Sequence, residues 1–151
     1  MKRFCLLASV ASLLFLIGCS EEELINRREE KIIGSWTFEK AYFTGRSALF
    51  RDDISHLHEN DLIIFNSDFT ASYDDQGQRL VFDGDWFVVL ETFTGPDGVE
   101  NVYFLDALFY TGGRQRADFG FYAEIEWLTQ NKMTITFIDE DGEYRYKLRK
   151  I

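Results

Sequence analysis

"KMTITFIDEDGEYRYKLRK", residues 132–150, is the stretch that decides the fold. Lys132 to Ile138 is a short run rich in β-branched and aromatic residues. After it, Asp141-Gly142 has the chemistry of a tight hairpin turn. Beyond the turn Tyr144, Tyr146 and Leu148 alternate with Arg145, Lys147 and Arg149. A period of two separates side chains onto the two faces of a strand. The stretch is therefore a β-hairpin with one apolar face.

Working outward, the same signature recurs along the chain. Strands are expected at 31–43, 62–65, 69–73, 80–92, 99–110, 119–128, 132–138 and 143–149, with turn residues at "NSD" (66–68), "DDQGQ" (74–78) and "GPDG" (95–98) between them. In "KIIGSWTFEKAYF" the pattern puts Trp36, Phe38 and Tyr42 on one face, opposite Ser35, Thr37 and Glu39. Leu80, Phe82, Trp86, Val88 and Leu90 share the even face of the longest run. The best helical candidate is Ser47 to Glu59, where Leu49, Phe50, Ile54 and Leu57 approach helical spacing inside the long connection between the first two strands. Eight short strands joined by hairpin turns define an all-β chain. An antiparallel up-and-down barrel is preferred to a sandwich because closure removes exposed edges.

The chain has 151 residues, of which 46% are hydrophobic and 17% aromatic, enough for one bulky aromatic core. Its net charge of −10 becomes −12 without Lys2 and Arg3, since all 26 acidic residues lie beyond residue 18. Nucleic acid is not expected as a partner, because phosphate binding needs clustered Lys and Arg.

The N-terminus reads as a leader. Lys2 and Arg3 precede an apolar run, Phe4 to Ile17, which is shorter than the roughly 20 residues that span a bilayer. "LIGC", residues 16–19, resembles the lipobox of bacterial lipoproteins. That resemblance implies cleavage after Gly18 and lipidation of Cys19, hence a signal peptide over 1–18 and a lipid anchor in the outer membrane. With Cys5 removed and Cys19 acylated, no cysteine pair remains to oxidise. Residues 19–30 are read as the acylated cysteine and an acidic tether, and 31–151 as the barrel domain. Glu21, Glu22 and Glu23 also resemble the export signal of Bacteroidetes surface lipoproteins, so the periplasmic and the cell-surface face both stay open.

Gly34-x-Trp36 on the first strand is similar to the opening motif of the lipocalins, and the long connection after it sits where lipocalins carry a lid loop. "LIIFNSDFTASY", "FDGDWFV" and "EIEWLTQNKMTITFIDEDGEYRYKLRKI" resemble, in the same order, segments of the small lipocalin-like lipoproteins of the Bacteroidetes. The resemblance implies a calycin-like barrel, with Trp36 plugging one end and an arginine near the C-terminus, Arg149 or Arg145, packing across its ring.

An eight-stranded barrel is either filled by its own side chains or just wide enough for one small ligand. The candidate lining residues are Trp36, Phe38, Tyr42, Trp86, Tyr103, Trp127, Tyr144 and Tyr146, with Phe82, Phe121 and Phe137 also expected inside. An open barrel would take an apolar or aromatic molecule anchored by the phenols. A filled one would act as an interaction or inhibitor module whose acidic surface binds a basic protein. His56 and His58, near Asp52, Asp53 and Glu59, are weighed as metal ligands but read first as a solvated loop. Asp139, Glu140, Asp141 and Glu143 are weighed as a calcium loop but read first as a hairpin turn. No catalytic motif is found, so a non-enzymatic binder without cofactor or metal is expected.

Overall fold

A computed structural model describes residues 21–96, 98–112 and 118–151; the expected leader, Cys19 and Ser20 lie outside the described residues. Helix α1 (Glu21–Ile32) precedes strands β1 (Gly34–Gly45), β2 (Asp52–Asp53), β3 (Leu62–Phe65), β4 (Thr70–Asp75), β5 (Leu80–Gly95), β6 (Gly98–Tyr110), β7 (Phe119–Leu128), β8 (Lys132–Ile138) and β9 (Gly142–Lys150). One turn of 3-10 helix, Ser55–His58, lies between β2 and β3, within the 47–59 segment that was the best helical candidate. Strands β1, β3, β4, β5, β6, β7, β8 and β9 pair antiparallel in that order, and β9 pairs back onto β1. The result is a closed eight-stranded up-and-down barrel with β2 as an extra strand on β1.

Alternation does what the sequence implies. Phe82, Gly84, Trp86 and Val88 of β5 are buried while Val81, Asp83, Asp85 and Phe87 are exposed. The closing seam runs from Trp36 opposite Lys150 to Gly45 opposite Gly142. It depends on glycine, since a Cβ at Gly142 would stand 2.2 Å from the Thr44 carbonyl oxygen.

Two expected inward residues face outward, both for one reason. The register of β1 against β9 shifts between Phe38 and Lys40, and that of β7 against β8 shifts between Ile125 and Trp127. Each bulge inserts one residue and so exchanges the two faces beyond it. Ala41 takes the inward place expected of Tyr42, whose ring lies outside under the Arg51 guanidinium at 4.0 Å. Trp127 is 62% exposed, while Ile125 and Leu128 pack on the core.

Residues 21–32, read as a tether running into a strand, form α1. The helix is stabilised by docking more than by its own polar sequence. Ile25 and Ile32 pack against the core, and the Arg28 guanidinium covers the Tyr103 ring at 3.2 Å. Three glutamates in the first turn and Lys31 in the last suit the helix dipole. The chain then turns into β1 through Gly34, whose φ of +131° L side chains rarely adopt. The first glycine of the Gly34-x-Trp36 motif is thus a backbone requirement.

The cation across Trp36 is Lys150. Its Nζ sits 4.9 Å from the ring and donates to the Lys31 and Ile33 carbonyls at 2.6 and 2.7 Å. It therefore caps the end of α1 as well as covering the indole. Arg149 and Arg145 lie on the opposite face of β9, Arg145 pairing with Glu126 at 2.5 Å. Lys150→Ala is expected to cost about 2 kcal/mol in urea unfolding, because two charge-assisted hydrogen bonds and a cation–π contact go together. Arg149→Ala should cost less than about 0.5 kcal/mol, as an exposed side chain without such a role.

Candidate ligand-binding site

The barrel ends differ. At one end lie α1, the β3–β4 turn, the β5–β6 and β7–β8 hairpins and the end of β9. This end is closed: Ile32, Trp36, Phe65 and Trp86 are buried there, and the Trp36 indole N–H donates to the Ile32 carbonyl at 2.6 Å. At the other end lie the long β1–β3 connection, the β4–β5 turn and the β8–β9 hairpin. Toward that end the interior opens into a cavity of about 410 Å³.

The cavity wall is aromatic, with Phe82, Phe109, Phe119, Phe121 and Phe137 along one side. Of the expected ligand residues, Phe38, Tyr144 and Tyr146 line it. Trp36 and Trp86 face inward but are wholly buried outside the cavity wall. Tyr103 is covered by α1, and Tyr42 and Trp127 are outside the barrel.

One side of the wall carries a polar cluster that the sequence did not reveal. Asp61, at the foot of β3, is 1% exposed. Its Oδ2 accepts from the Tyr73 hydroxyl at 2.5 Å and lies 3.2 Å from His58 Nδ1; its Oδ1 accepts from the Gln76 amide at 2.9 Å. The His58 ring stacks on Phe38 (4.4 Å between centroids, 14° between planes) and meets Tyr146 edge-on at 5.1 Å. Burial pushes the hydroxyls of Tyr73 and Tyr146 to higher pKa, so both stay protonated donors.

His58 is held below its ordinary range by burial, against the opposing pull of Asp61 and Asp75. Such a histidine binds protons more readily unfolded than folded. Its contribution is therefore complete above pH ~6.5 and is lost as the pH falls from there toward the folded-state value. The groups facing it are the Asp61 and Asp75 carboxyls and the Tyr73 and Tyr146 hydroxyls, the two phenols being held protonated by burial. The melting temperature should fall as the pH drops below about 6.5, and His58→Phe, which keeps the stack on Phe38, should flatten that fall.

The two histidines weighed as a metal pair diverge: His58 enters the cavity wall and His56 is exposed. Among the described residues no group of three His, Cys, Asp or Glu could hold a metal ion. The acidic "DEDGE" stretch is a hairpin turn, with Asp139 Oδ1 accepting from the amides of Asp141 and Gly142 at 2.7 and 3.1 Å.

The geometry defines a closed β-barrel with an aromatic cavity open at one end. Comparison with protein-family models, curated proteins and solved structures found no match.

Proposed function

We propose that the chain is a lipid-anchored, lipocalin-like lipoprotein of the bacterial outer membrane that binds a small, mainly apolar aromatic molecule without catalysis. The observation that carries this reading is the 410 Å³ aromatic cavity. It falls in the size range of small-molecule sites and equals about fourteen water volumes of ~30 Å³, room for a fused two-ring molecule. The alternative, a protein-interaction module binding a basic partner, was tied to a filled barrel; the cavity speaks against that premise.

The anchoring half rests on the sequence. Among the described residues no helix is long and apolar enough to cross a membrane. Attachment would come through Cys19, two residues before α1, so the lipid would join the barrel from the side of its N-terminal helix. Cys19→Ser should abolish acyl labelling and release the protein from the membrane fraction. Undiminished labelling would refute the anchor.

Naphthalene and 2-naphthol serve as probes of the cavity. At least one should bind saturably with one site per chain. Ile63→Phe, which places a ring in the cavity, should remove that binding while keeping the far-UV spectrum. Absence of binding by both probes to the wild-type chain would overturn the ligand reading.

A further inference from the structure

The hydrogen-bond inventory of the polar cluster specifies what the cavity asks of its occupant. Both oxygens of Asp61 are acceptors, Oδ2 taking the Tyr73 hydroxyl and Oδ1 the Gln76 amide as donors. The contact with His58 Nδ1 at 3.2 Å is then an N–H donating to Asp61 Oδ2. Burial disfavours the charged ring, and the neutral imidazole with its proton on Nδ1 leaves Nε2 as an acceptor.

Nε2 has no hydrogen-bond partner among the described residues. It is not sealed in the core either, since the His58 side chain keeps 17% of its surface exposed. His58 lines the cavity, and its stack on Phe38 and edge contact with Tyr146 hold the ring in place. The carboxylates on the same wall hold turns. Asp75 accepts from the Gln78 amide at 2.7 Å and from its side chain at 2.9 Å, and Asp139 Oδ1 holds the β8–β9 turn. The imidazole nitrogen is thus an open, uncharged acceptor in a wall of rings.

We infer that the cavity selects a neutral planar molecule bearing a hydrogen-bond donor, a phenolic or enolic O–H or a heteroaromatic N–H, which donates to His58 Nε2 while its ring packs among Phe82, Phe109, Phe121 and Phe137. Asp61 is a positioning residue in this arrangement, since it acts through the imidazole. Anionic ligands are disfavoured, because Asp75 and Asp139 stand on the same wall and the chain carries a net charge of −10. The inference rests on the reading of the barrel as a small-molecule binder and goes further by naming the chemistry of the ligand.

The test pairs 2-naphthol with 2-methoxynaphthalene, which has the same ring system and no donor. The wild-type chain at neutral pH should bind 2-naphthol about tenfold more tightly, the effect of one unmade hydrogen bond of about 1.4 kcal/mol. His58→Phe should bind the two alike. A readout independent of any variant is the nitrogen-15 resonance of His58 Nε2, which should move upfield on addition of 2-naphthol and stay in place with 2-methoxynaphthalene. Equal affinities in the wild type, a preference that survives His58→Phe, or an unmoved Nε2 resonance in the 2-naphthol complex would each overturn the inference and leave the cavity-binder reading standing. Failure of both compounds to bind would overturn the inference, and failure of naphthalene as well would overturn that reading with it.

Discussion

Trp36→Ala is expected to lower the folding free energy by about 4 kcal/mol, within the range of aromatic-to-alanine changes in cores. The side chain is fully buried and joins three parts of the closed end: β1, which carries it; α1, through the Ile32 carbonyl; and β9, through Lys150 above the ring. Its loss leaves a void that packed β-strands cannot collapse into, and it leaves the Ile32 carbonyl without the indole N–H as its donor. Trp36→Phe should cost about half as much, retaining a ring but not the indole N–H. Hydrogen exchange should localise the damage. Amides of α1 should lose protection first in Trp36→Ala, while those of β5 and β6, whose pairing runs from Asp83 opposite Tyr110 to Gly95 opposite Gly98, should be the last to exchange.

Asp61→Ala is expected to cost about 3 kcal/mol, by a different route. A buried carboxylate is a weak source of stability in itself, but removing it strands the donors arranged around it. Tyr73 O–H, the Gln76 amide and His58 Nδ1–H would all lose their acceptor. The cavity beside His58 admits water, which keeps the cost below the sum of three unmet donors. Asp61→Asn restores one acceptor oxygen but sets an amide donor against other donors, so an intermediate loss is expected in urea unfolding. Both variants free the imidazole to move its proton to Nε2, and both should weaken any preference for ligands that donate a hydrogen bond.

The barrel was legible because its signal is a period of two that lies in the residues themselves. Tyr144, Tyr146 and Leu148 face inward as their spacing requires, while the β8–β9 turn forms one residue before the expected Asp141-Gly142 pair, at Glu140-Asp141, with Gly142 already in β9. Periodicity gives the face, however, and not the height along the barrel. Trp36 and Trp86 therefore share the inward face with Phe38 and Tyr146 yet lie outside the cavity wall. Single-residue bulges leave no mark in composition, and one bulge each sufficed to turn Tyr42 and Trp127 outward. Helix α1 was read as a tether because "EEELINRREEKI" has few apolar residues; Ile25 and Ile32 become a stripe only when there is a barrel end to dock against. Nothing in the local sequence singles out Asp61, whose partners Tyr73 and His58 lie 12 and three positions away along the chain.

The central claim is that the open end of the barrel is the ligand site. Nuclear Overhauser contacts between 2-naphthol and the assigned side chains test it directly. The account predicts contacts to the Ile63 methyls and to the rings of Phe121 and Tyr146, with none to Trp36 at the closed end or to Trp127 on the outer surface. Contacts to Trp127 in place of the cavity residues would contradict it.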